Sequence, residues 1–205
     1  MYFSFDEKKE YFKRISYKKQ LTMAILSSER AYREAIKFYE MFLGEKTNFR
    51  FLLDELWNYL SNKSSLNHED WFQMGLKIQK NFKKKGDYYS QDVISKLIGL
   101  LNMTIGMVIW ENDKPDYWAG GCFTQVGSVI SSIYDNKYQL ISDSLIFYCK
   151  EQEWLTKAAL LIEETEDLPL NYDWFAERIP DYERKETSLE FAKKYQKFLD
   201  AEKQS

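Results

Sequence analysis

Glycine and proline are scarce in this chain, eight and three among 205 residues. So few breakers exclude folds built from many short strands and tight turns, and they favour long helices. Histidine is scarcer still. The single His68 cannot support a multi-histidine zinc site, and any Ser–His–Asp or Cys–His triad would have to be built on it alone. Cys122 and Cys149 show no CxxC spacing and make no disulfide framework. Both lie in apolar helical context and are expected as buried thiols of a reducing compartment. No phosphate-cradling glycine loop is present, and the first residues lack a basic run followed by an apolar one, so no signal peptide is expected. The longest weakly charged stretch, Leu97 to Trp110, is too short to span a bilayer and carries Asn102 and two glycines. A net charge of -3 lacks the basic footprint of a nucleic-acid binder. The chain is therefore expected to be cytoplasmic and non-enzymatic, with no cofactor, no metal, no membrane and no direct nucleic acid.

What is present is apolar and aromatic. Apolar residues make up 44% and aromatic residues 17% of the chain, ample to build a core in one domain of this length and to disfavour disorder. From Leu21 a helical period sets in, with Ile25, Ser28, Tyr32, Ala35, Ile36, Tyr39 and Phe42 on one face and Gly44 as a stop. Thr47 is placed to cap a second stripe, Phe49, Leu52, Leu53, Leu56, Trp57 and Leu60, which ends in the polar turn 61–65. A further helix carries Trp71, Met74, Ile78 and Phe82 and stops at Gly86. The next, capped at Ser90, carries Ile94, Leu97, Ile98, Leu101, Ile105 and Val108, with Val93 and Leu100 off the stripe, which predicts a central helix.

Pro115 suits the first turn of a helix through Cys122, Val126 and Ile130. A long segment over about 138–164 follows, then an irregular stretch over 171–186 with room for one turn of helix. Thr187 and Glu190 form a capping-box pattern that opens a C-terminal helix. No run alternates with period two for long enough to make a sheet. The expected fold is all-α, one domain over 1–205, an antiparallel bundle of about seven to nine helices. Gly99, Gly106, Gly120, Gly121 and Gly127, all inside helical pattern, are expected where helices cross closely.

The block from Tyr17 to Arg30, with Met23-Ala24-Ile25-Leu26-Ser27-Ser28-Glu29-Arg30 at its end, is similar to the opening of the YjaG-like bacterial proteins (domain of unknown function 416). Asn48-Phe49-Arg50-Phe51-Leu52-Leu53-Asp54-Glu55-Leu56-Trp57 resembles their aromatic, leucine and tryptophan helix. Tyr89-Ser90-Gln91-Asp92 and Glu151-Gln152-Glu153-Trp154 follow the same plan. The resemblance covers roughly 17–165 and implies an all-helical fold and little about activity. The remainder, 166–205, is an extra C-terminal segment and helix outside it.

Carboxylates are the one catalytic option left by the scarcity of histidine and cysteine. They show no paired spacing repeated on two helices, and Glu29-Arg30 reads as a structural salt link. Charge is more informative. Between Glu163 and Glu183 there are eight acids and one base, Arg178, interleaved with Tyr172, Trp174, Phe175 and Tyr182. Acids can steer a partner and rings can anchor it. The expected partner-binding residues are therefore Glu163, Glu164, Glu166, Asp167, Tyr172, Asp173, Trp174, Phe175 and Tyr182; the alternative is that the rings of 163–183 fold back onto the bundle and belong to its core. The expected function is a protein-binding module, best matched by an immunity or antitoxin protein that neutralises a basic toxin domain. The alternatives are a scaffold or regulator with another partner and, below it, a carboxylate and metal-dependent helical hydrolase. Self-association is left open.

Overall fold

A computed structural model of the chain describes residues 2–43, 49–81, 88–110, 113–133, 144–166 and 171–182, with Lys193, Lys197 and Ala201 beyond them. Among the described residues the structure is all-helical: α1 (Phe5–Arg14), α2 (Tyr17–Leu43), α3 (Phe49–Leu60), α4 (His68–Asn81), α5 (Tyr88–Ile109), α6 (Pro115–Ile133), α7 (Ser144–Glu164) and α8 (Tyr172–Arg178). The expected caps and stops at Gly44, Thr47 and Gly86, and most of the expected C-terminal helix, lie outside the described residues.

Local chemistry accounts for the ends. Ser4 caps α1, and Glu7 reaches back to the Ser4 backbone N–H at 2.7 Å, a reciprocal capping box. Pro115 starts α6, where its missing N–H costs nothing. Ser90 lies two residues inside α5, so it is not the cap its sequence context predicts.

One contiguous core draws on all eight helices. The predicted stripe of α3 is buried throughout. On α5 the buried set Val93, Ile94, Leu97, Leu100, Leu101, Ile105, Met107 and Val108 covers more than one face. The helix is flanked by α2, α4 and α6. Its span Asp92–Ile109 is long and apolar enough to cross a membrane, and just over half of it is buried inside the protein. Where α2, α5 and α6 meet, the Ser28 and Thr104 hydroxyls share a hydrogen bond at 2.7 Å, and the Cys122 thiol lies 3.5 Å from Thr104 Oγ1. Burial pushes that thiol up to about 12. Cys149 is only partly buried.

The glycines divide. A Cβ on Gly127 would stand 2.7 Å from the Tyr148 ring, so α6 and α7 approach there as closely as glycine allows. A Cβ on Gly99 would meet nothing within 4 Å, which corrects the expectation of a helix crossing at that position.

Candidate partner-binding surface

The stretch expected to be irregular apart from one turn contains a seven-residue helix, α8. The Asn171 side chain caps it by accepting from the Trp174 backbone N–H at 3.0 Å. The cation that holds this segment in place is Arg30, in the middle of α2 and almost fully buried. Its guanidinium binds both carboxylate oxygens of the buried Glu151 on α7. It also donates to Asp181 Oδ1 at 2.6 Å and to the Tyr172 hydroxyl at 3.1 Å. Trp154 of α7 lies 4.0 Å from the guanidinium, stacks nearly parallel to Tyr172, and donates from its indole N–H to the Ile179 carbonyl. Burial opposes the charge on Arg30, yet the Glu151 carboxylate, with Tyr172 and Asp181 behind it, holds its pKa well above the ordinary value. Burial likewise raises the Tyr172 phenol, which stays protonated near neutrality.

A second charge cluster is centred on the neighbouring residue. Glu29, fully buried, accepts at Oε1 from Arg33 at 2.8 Å and from Arg50 of α3 at 2.5 Å, while its Oε2 has no hydrogen-bond partner among the described residues. Burial pushes this carboxyl up, and the two guanidiniums outweigh it, leaving the pKa below the usual 4.5. Arg50 also binds Asp54, and Arg33 lies 4.0 Å from the Tyr172 ring and reaches Asp173 at 3.5 Å. The salt-link reading of Glu29-Arg30 thus resolves into two separate links, to different helices.

These contacts relocate the expected binding residues. Phe175 is fully buried and belongs to the core, which corrects its assignment as an exposed anchor. Tyr172 is clasped between Trp154, Arg30 and Arg33. Tyr182 is half-buried beside Phe147 and 5.9 Å from Arg30. Trp174 is half-buried, with Arg178 4.1 Å over its ring and Phe175 edge-on beside it. Glu163 forms a two-bond ion pair with Arg14 of α1, both bonds 2.8 Å. Glu164, Glu166 and Asp173 are exposed, and Asp167 lies outside the described residues. The rings therefore face the protein, while Glu164, Glu166 and Asp173 face out.

Arg30 and Glu151 are the residues that sequence reading missed as the seat of this segment. The available signal was the Glu29-Arg30 charge pair interrupting an otherwise apolar stretch of the helix. Among the described residues no three acidic, histidine or cysteine side chains gather around one point where an ion could sit. Set beside known protein families, curated proteins and solved structures, the chain matches none of them.

Proposed function

We propose that this chain is a cytoplasmic, non-enzymatic protein-binding module, a single-domain antiparallel helical bundle acting as an immunity or antitoxin protein against a basic toxin domain. The observation that carries the reading is the outward array Glu164, Glu166, Asp173 and Glu177 on and beside a segment fastened at the Arg30–Glu151 pair. A carboxylate array on a fixed support favours fast, salt-sensitive capture of a basic surface. The aromatic residues give this surface its rigidity, and the acids do the contacting.

The test is a growth assay with the products of the neighbouring genes. One of them is expected to arrest growth when expressed alone and to be neutralised by co-expression of this chain. Asp173→Lys/Glu177→Lys is expected to slow association with that product several-fold at low salt, with a smaller effect as salt rises. A neighbour that binds without being toxic points to the scaffold reading. If no neighbouring product binds the purified chain, the immunity reading fails.

A further inference from the structure

We propose that the corner where α4, α5 and α6 meet is a docking surface for a lysine- and arginine-bearing segment of a protein partner. Seven large apolar side chains are exposed among the described residues, and three of them, Phe72, Trp110 and Tyr117, gather at this corner. Phe72 and Trp110 line one open groove of about 230 Å³ together with Trp118. Tyr117 packs edge-on against Trp118.

The corner is built, not frayed. His68 Nε2 shares a hydrogen bond of 2.7 Å with the Ile109 carbonyl, joining the start of α4 to the end of α5. A Cβ at Gly106 would stand 3.3 Å from the Trp110 ring, so the glycine gives the ring a seat on its own helix. Trp118 stacks on Trp110 with centroids 6.3 Å apart. Half of Trp110 and more than two thirds of Tyr117 remain exposed. The groove continues along α5 past Met103 to the open position at Gly99. From Gly99 to Trp110 is about 16 Å of helix, room for two to three turns of an incoming segment.

Charge selects the occupant. Glu69 and Asp70 open α4, Asp113 follows Trp110, and Asp116 sits beside Tyr117, against Lys114 and the more distant Lys77. Aromatic faces with carboxylates around them attract lysine and arginine side chains, and the groove takes the apolar residues between those cations. An anionic lipid surface would call for bases around the rings, and acids predominate here. The acids also suit the N-termini of α4 and α6, but that role leaves three large rings uncovered. This goes beyond the immunity reading, because a basic segment can dock here whatever the partner does.

The probe is a synthetic amphipathic helix of leucine and lysine, titrated into the full chain while the indole N–H signals are followed by NMR. The Trp110 and Trp118 signals are expected to move and saturate. Tyr117→Ala and Trp110→Ala should each weaken binding roughly tenfold. Asp113→Lys/Asp116→Lys should remove saturable binding with the helical circular dichroism unchanged, whereas Asp173→Lys/Glu177→Lys should leave it intact. The proposal is overturned by any of three results: the leucine–glutamate counterpart moves the same signals equally, phosphatidylglycerol vesicles move them and the lysine peptide does not, or the indole signals stay fixed throughout. A failed growth assay would not touch this titration, so the two readings fall separately.

Discussion

The rings of 171–182 and the rings of the α4–α5–α6 corner sit in similarly acid-rich sequence, and the first set closes on a buried cation. Tyr172 hydrogen-bonds to Arg30, Trp154 stacks on both, and Phe175 is sealed in the core. At the corner the aromatic contacts run among Trp110, Tyr117 and Trp118, with Tyr117 and Trp110 left open to solvent. The same composition serves as a fastener in one place and as an uncovered face in the other. What separates them is the presence, on another helix, of an arginine that needs company.

The sharpest way to break this contrast is to remove the fastener's counter-charge. Glu151→Ala leaves Arg30 buried without its main partner and should cost about 3–5 kcal/mol, read as a shift in the urea midpoint. Replacing the pair together, as Arg30→Met/Glu151→Leu, should recover much of that loss. A double variant as unstable as the single one would show that the pair is not the unit of stability. Phe175→Ala should cost about 3–5 kcal/mol as a fully buried ring and should loosen 171–182 in hydrogen exchange. A loss below about 1 kcal/mol, against the usual cost of such a truncation, would return Phe175 to the surface.

Acid gives a gentler probe. The folded-state pKa of Glu29 lies below the ordinary 4.5, so its ionisation contributes stability that is complete above that value. The contribution is lost as pH falls through the lower, folded-state value. Glu29→Gln should therefore flatten the acid limb of the stability curve, and an unchanged limb would mean that other carboxylates govern it. The smallest effect belongs to the corner: Tyr117→Ala should leave stability within about 0.5 kcal/mol of the parent, as surface changes do. A large loss would mean that the corner is a fastener too.

Much of the helical plan was legible because burial repeats with a fixed period. Leu53, Leu56, Trp57, Leu97, Leu101 and Ile105 were expected in the core, and all six are buried. Where the period had too few residues to show, the sequence pointed to one turn of helix at most. The seven residues of α8 make under two full turns, and an acid-rich, aromatic-rich stretch of that length looks the same whether it is clasped or free. Gly99 illustrates another limit, since glycine in a helix marks a tight crossing at Gly127 and an open groove at Gly99. The site was the least legible part. Its anchor is a pair 121 residues apart in the chain, and nothing local to 163–182 points to Arg30.

That separation has a consequence for how the protein is made. Arg30 leaves the ribosome early, and at ordinary synthesis rates of about 5–20 residues per second Glu151 follows roughly 6 to 24 seconds later. In the first part of that interval α2 lacks even its main neighbours α5 and α6, and it is a nascent amphipathic helix with a charge on its otherwise apolar surface. Until Glu151 arrives the arginine must stay hydrated, so it acts as a built-in solubiliser of the unfinished chain. A substitution such as Arg30→Met, largely offset in the finished fold when Glu151 is replaced with it, would therefore be felt first as greater dependence on chaperones during translation.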